Sequence, residues 1–331
     1  MSSAPGGTVG DVGESVVLQA LLKVLAGSSG AVIGPGDDAA VLAVPGGRAV
    51  VTTDTLVQGP DFRLAWSGGV DLGFKAAAVN LADVAAMGAR PTALFVALAM
   101  PADTTVDFVT DLAAGLREAC DALAPGCAVE GGDLTISDTL TIAVTAVGVL
   151  DGVEPVRRGG ARPGDVVALA GHAGHAAAGL ALLFSRFRDD AGAALPVDRS
   201  ALTAGELLAL DAQLRPHPPI ALGPQAAAAG ATAMMDVSDG LALDARRLAA
   251  ASGVTLVLSS AALGPDPVAA LEGGEDHALL ATFPPGAPLP GGFRVIGGVA
   301  QAGAAAVQLD GAPYDGPGGW DPYRDWDHQA G

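Results

Sequence analysis

Lysine is nearly missing from this 331-residue sequence: Lys23 and Lys75 are the only two, and the other basic residues are Arg. Lys+Arg total 17 against 36 Asp+Glu, a formal net charge of -19. Nucleic acids and anionic membrane surfaces are recognised by clustered basic side chains, so this balance argues against both as partners. Cysteine is just as scarce. Cys120 and Cys127 are the only two, too few for a disulfide framework or a cysteine-built zinc site, and in keeping with a reducing cytosol. Long hydrophobic runs are missing too. The longest, Ala93–Met100 and Leu140–Leu150, fall well short of the ~20 residues of a membrane helix. The first residues show neither a basic nor an apolar leader segment, so a cytoplasmic protein is expected.

What is present is apolar. Half the residues are hydrophobic and only 16% are charged, which suits a globular chain with a sizeable core. Strand-like and helix-like runs alternate. Ala49–Thr53 is a β-branched run that ends in Asp54. Val70–Met87 reads as a helix stopped by Gly88, Val106–Leu123 as a second helix, and Ala93–Met100 and Leu140–Leu150 as buried strands. Asp151–Asp165, rich in Gly, Pro and Arg, interrupts the pattern and is expected to separate two domains, 1–150 and 151–331. Beyond it, Val166–Ala170, Val254–Leu258, Ala278–Phe283 and Phe293–Gly297 read as strands. Helices are expected from His175 and over Leu241–Ala251. This alternation is that of an α/β or α+β protein.

Several chemistries are excluded by missing motifs. Neither lysine follows a glycine, so no G-x-x-x-x-G-K-[ST] phosphate loop exists. No G-x-G-x-x-G follows a strand. Asp236-Val237-Ser238-Asp239-Gly240 has Asp where a nucleophile elbow needs Gly, which disfavours a serine hydrolase. His172 and His175 form an H-x-x-H without a third ligand and do not define a zinc site.

The carboxylates are unusually placed. They recur in Gly/Ser/Thr stretches beside apolar runs: Gly36-Asp37-Asp38, Thr52-Thr53-Asp54, Gly131-Gly132-Asp133, Asp236 to Gly240, and Gly273-Gly274-Glu275-Asp276. Read as turns, each has an ordinary structural explanation, because Asp and Gly dominate turns and caps. Five such stretches together would repel one another unless cations joined them. Magnesium, an oxygen-seeking ion that bridges carboxylates to phosphates, fits that role. Flanking glycines would let backbone N–H groups approach phosphate oxygens. Asn80 and Asp83, three apart, share one helix face. Lys75 is expected to pair with Asp71 one turn earlier, and His277 to pack at a strand start.

In this order the stretches GPGDDAAVL (34–42), TTDTLVQGPDF (52–62), FKAAAVNLADVAAMGARP (74–91), EGGDLT (130–135), RRGGARPGD (157–165), MDVSDGLALD (235–244) and GGEDHALL (273–280) resemble the thiamine-monophosphate kinase family. That family belongs to the ATP-using aminoimidazole ribonucleotide synthetase-like superfamily. The resemblance implies two α/β domains, with the N-terminal one pairing in a homodimer. It implies magnesium at Asp38, Thr52, Thr53, Asp54, Asp83, Asp133 and Asp236, and a further ion at Asp239. ATP would meet Gly132, Asp133, Arg158 and Ser238, and thiamine monophosphate would meet Asp61, Glu275 and Trp326. Three positions depart from the family's usual pattern. Asp61 stands where His is usual, His277 where Tyr is usual, and Gln329 follows His328 where an aromatic residue is usual.

The implied reaction joins ATP and thiamine monophosphate to give ADP and thiamine diphosphate. A phosphate monoester has a second pKa of ~6, so the attacking oxygen is already ionised and no catalytic general base is expected. Positioning and charge cancellation by several Mg²⁺ then suffice for direct in-line transfer. Two other readings stay open: another ATP-using member of the superfamily, and a non-catalytic nucleotide-binding protein. The selenophosphate branch is disfavoured because no Cys precedes Cys120.

Overall fold

The computed structural model describes residues 7–12, 14–31, 42–316 and 319. Asp38 and Trp326 lie outside the described residues, as does His328.

Two short helices, α1 (Val9–Val12) and α2 (Glu14–Leu25), precede a four-stranded sheet. Its strands are β1 (Ala49–Val57), β2 (Arg90–Met100), β3 (Ala128–Ile136) and β4 (Thr141–Val149), in the order β1-β4-β2-β3. Only the β2–β3 pair is parallel. That pair is joined by α4 (Val106–Leu123), and α3 (Gly69–Ala86) connects β1 to β2. Both helices lie on one face of the sheet, where Leu94, Ile142 and Val144 meet Leu81, Val84 and Leu116 in one core cluster. Strand periodicity leaves Val51, Phe95, Ala97, Ala143 and Val147 on the opposite face, partly or fully exposed.

Helix α3 is buried almost all round: fifteen of its eighteen residues are inaccessible, because its Ala run lets neighbours approach closely. Against α4 the contact is closer still. A Cβ on Gly73 would sit 1.9 Å from the Leu112 carbonyl oxygen, so no larger residue fits there.

The second sheet has seven strands, in the order β11-β10-β7-β9-β5-β8-β6. These are β5 (Val166–Ala170), β6 (Ala233–Val237), β7 (Val254–Leu258), β8 (Ala278–Phe283), β9 (Phe293–Gln301), β10 (Val307–Leu309) and β11 (Ala312–Pro313). Its helices are α5 (His175–Arg186), α6 (Ala204–Leu214), α7 (Leu222–Ala228), α8 (Leu241–Ser252), α9 (Ser260–Leu263) and α10 (Pro267–Glu272). Helix α3 of the first sheet also packs against β6, β8, α6 and α7 of the second half.

Two carboxylate stretches read as turns are strand interiors. Thr52-Thr53-Asp54 is the middle of β1, and Gly131-Gly132-Asp133 the middle of β3. The paired glycines of β3 serve packing: a Cβ on Gly132 would lie 2.1 Å from the Val96 carbonyl oxygen of β2.

Candidate active site

Strand β1 and helix α3 lie side by side, and the helix face that carries Asn80 and Asp83 looks at the strand. The Asn80 side-chain oxygen accepts the Asp54 backbone N–H at 3.0 Å. The Thr52 hydroxyl donates to Asp83 at 2.8 Å. Thr53, one residue on, must face the other way. Its hydroxyl donates to the Val144 carbonyl and accepts from Thr145, so its side chain is not beside Asp54 and Asp83.

The second half completes the site through two loops stitched together. The Glu275 N–H donates to the Ser238 carbonyl at 2.7 Å, and the His277 N–H to the Val237 carbonyl at 3.1 Å. These bonds extend the β6–β8 ladder past its last pair, Val237 with Ala278. Glu275 and His277 take positive φ values of 68° and 51°, rare for residues with a Cβ. His277 does sit at a strand start, as expected, but it also holds Asp236: its Nδ1 is 3.1 Å from the carboxylate, with both side chains buried. The 238–239 turn is braced from below by Asp244, which accepts both its backbone N–H groups at 3.1 Å. Asp239 is itself engaged by Arg247 at 2.6 Å.

Asp54, Asp83, Asp236 and Asp239 share one electrostatic neighbourhood. Burial raises the Asp83 carboxyl first, Asp236 and Asp54 push it further to about 7, and the Thr52 hydrogen bond opposes them. Partial burial raises Asp54 as well; His277 opposes this, and Asp236 and Asp239 add to it. Burial alone would lower His277, but the hydrogen bond and charge of Asp236 turn the shift upward.

Beside this seam opens a cavity of about 260 Å³. Its walls are mainly apolar and include Phe62, Trp66, Leu183 and Phe184, while Asp61, Arg63, Ser67, Lys75, Gln213 and Glu275 supply polar groups. Asp61 is held by the Val57 N–H at 2.7 Å. Its carboxyl is raised by burial and by the charges of Glu275 and Asp54, against the Val57 hydrogen bond and Lys75. The expected Lys75–Asp71 pair does not form. Lys75 lies on the buried side of α3 and reaches Glu275 at 2.8 Å, while Asp71 caps the helix and pairs with Arg215. Burial would push Glu275 up, but Lys75 and Gln213 together hold it below the usual carboxylate range.

The structure therefore brings together Thr52, Asp54, Asp83, Asp236, Asp239, Asp61 and Glu275, with Ser238 in the same turn. It does not bring Asp133 to them. Strands β1 and β3 are the two edges of the first sheet, three strand spacings or ~14 Å apart. Arg158 is exposed in the connecting segment, its carbonyl accepting the Ser252 hydroxyl. Among the described residues no three His, Cys, Asp or Glu side chains are close enough to hold one ion between them. The structure adds Lys75, Gln213 and Asp244, whose partners lie too far along the chain or are too ordinary in type to stand out in sequence.

The N-terminal domain model of the AIR synthase related proteins matches residues 36–150, and the mixed α/β architecture agrees with that match. A thiamine-monophosphate kinase from Mycobacterium tuberculosis is 41% identical over 98% of this chain and 95% of its own length. A solved thiamine-monophosphate kinase from Stenotrophomonas maltophilia superposes with a TM-score of 0.74 at 31% identity, covering 89% of this chain and 96% of its own. A structure described as AaThiL complexed with AMPPCP and TMP superposes with a TM-score of 0.72 at 32% identity, covering 94% and 97%. The chain belongs to the thiamine-monophosphate kinase family.

Proposed function

We propose that this protein phosphorylates thiamine monophosphate with ATP, giving thiamine diphosphate and ADP by direct in-line transfer. The observation that carries the reading is a crowded carboxylate seam, Asp54, Asp83 and Asp236, next to a mostly apolar cavity with Asp61 and Glu275 on its wall. A relative's complex with AMPPCP, an ATP analogue, and TMP supports it.

The donor set suits magnesium. It is oxygen-rich, and burial, with the neighbouring carboxylates of Asp236 and Asp54, raises Asp83 to about 7, an environment that a cation would relieve. Asp54, Asp83 and Asp236 would hold such ions, and the family resemblance adds Asp38, Thr52, Thr53, Asp133 and Asp239. The metal would cancel charge between the ATP triphosphate and the acceptor's phosphate. The chain's own residues do the rest. Asn80 holds the β1 backbone at Asp54, Thr52 fixes the Asp83 carboxylate, His277 orients Asp236, and the apolar cavity walls exclude water from the organic part of the substrate. No side chain need remove a proton, because the acceptor phosphate is already ionised.

Gly132, Asp133, Arg158 and Ser238 remain the proposed ATP contacts, and Trp326 a proposed substrate contact. Residues 1–150 and 151–331 are proposed as two domains, with homodimer formation through the open face of the first sheet and a cytoplasmic location. The test is turnover of purified protein with ATP, Mg²⁺ and thiamine monophosphate. Equimolar ADP and thiamine diphosphate are expected. ATP consumption independent of thiamine monophosphate, or none at all, would refute the reading.

A further inference from the structure

Gln213 sits in the last turn of α6, 5% exposed, on the wall of the cavity that holds Asp61, Lys75 and Glu275. Its side-chain Nε2 donates to the Glu275 carboxylate, which also receives Lys75 at 2.8 Å. A carboxylate only accepts hydrogen bonds, so the carboxamide has one acceptable orientation: nitrogen toward Glu275, oxygen away. The opposite orientation would set two oxygens against each other. Oε1 is thereby committed as an acceptor, and it is buried with no hydrogen-bond partner in the structure. Buried polar atoms are rarely left in that state, because an unmade hydrogen bond costs more than a made one gains. The cavity that Gln213 helps to line measures about 260 Å³, several times the ~30 Å³ share of one water, so it has room for a ring.

We propose that Gln213 is a specificity-determining residue whose Oε1 accepts a hydrogen bond from the exocyclic amine of the substrate's aminopyrimidine ring. The inference rests on the thiamine monophosphate reading and deepens it. The apolar walls at Trp66 and Phe184 suit a flat heteroaromatic ring. Lys75 acts through Glu275: it keeps that carboxylate ionised and so keeps the Gln213 amide from turning over. A buried acceptor that must be matched by a donor discriminates sharply. An analogue with an oxo group in place of the amine would bring an oxygen against Oε1 and leave both without a donor.

The experiment is a comparison of two ligands on two proteins. Calorimetric titration with thiamine monophosphate and with oxythiamine monophosphate, its 4-oxo analogue, is run on the full chain and on Gln213→Met. The original protein is expected to bind the oxo analogue at least tenfold more weakly. Gln213→Met is expected to lose about tenfold for thiamine monophosphate, about 1.4 kcal/mol. It is expected to lose little for the analogue, so the ratio collapses toward one. Equal losses for both ligands would mean a packing role and would overturn the proposal, as would an undiminished ratio. Gln213→Leu repeats the measurement should the Met variant not fold. The discrimination ratio of the original protein needs no variant, and equal affinity for the two ligands there overturns the proposal alone. Failure of the kinase reading looks different: no turnover of thiamine monophosphate by the original protein.

Discussion

His277 Nδ1 and Asp236 Oδ2 lie 3.1 Å apart with both side chains buried, joining the end of β6 to the start of β8. The contact fixes one carboxylate of the seam beside the imidazole. Replacing His277 with Gln, which cannot carry the charge, is expected to lower stability and to change its pH dependence. The His277 pKa is raised on folding, so its contribution is fully present below the unfolded value of ~6.5 and is lost as pH rises through the higher folded value. The stability gap between the original protein and His277→Gln should therefore narrow from pH 6 upward. Denaturant titrations across that range would contradict the assignment if the gap widened.

Asp83 behaves in the same direction for a different reason. Burial and two neighbouring carboxylates raise it to about 7, far above an unfolded Asp. Its favourable protonated form is complete below pH ~4 and is lost as pH climbs through 7. In chelator, stability should fall over that interval, and Asp83→Asn should flatten the fall and be the more stable protein at pH 8. With Mg²⁺ and substrates the order reverses in function, and Asp83→Asn should lose most of its turnover. Higher turnover than the original protein would remove Asp83 from the proposed ligands.

Lys75→Met leaves Glu275 without its cation and should cost about 1–3 kcal/mol, less than a fully buried pair because Glu275 is half-buried. Adding Glu275→Gln to that variant should restore part of the loss, since both charges are then gone. A double variant less stable than Lys75→Met, in thermal melts, would show that the two side chains act separately.

The open face of the first sheet predicts a second copy. Val51 is 61% exposed on it, directly opposite Val147 of β4. Sedimentation should report a species of twice the 32.3 kDa chain mass, and Val51→Arg should weaken it. A monomer at micromolar concentration would sink the proposal.

Periodicity made several elements legible. Val106–Leu123 is α4 residue for residue, because Thr105 caps an amphipathic run. The strand Val166–Ala170 is matched as well. The placement of Asn80 with Asp83 on one face was readable from their spacing. Gly131-Gly132 was not. Two adjacent glycines signal a turn, and only the approach of β2 explains why the backbone stays extended there. The alternation that sends Thr52 and Thr53 to opposite faces was implicit in β1, but a strand had to be recognised through Val57 to apply it. The partner of Lys75 lies 200 residues away, and the partner of Gln213 62 residues away, beyond the reach of any local pattern.

The burial of α3 between two sheets has a consequence for how the chain is made. Synthesis from the N-terminus completes β4 long before residue 275 exists, so the nascent first half carries Lys75 without its Glu275 partner. It also carries an Ala85 carbonyl surface that Gly223 has yet to cover. Until β8 emerges, that helix flank is an uncovered, adhesive surface. The two halves are in this sense each other's chaperone, and a ribosome stalled between them would display that surface to the cell.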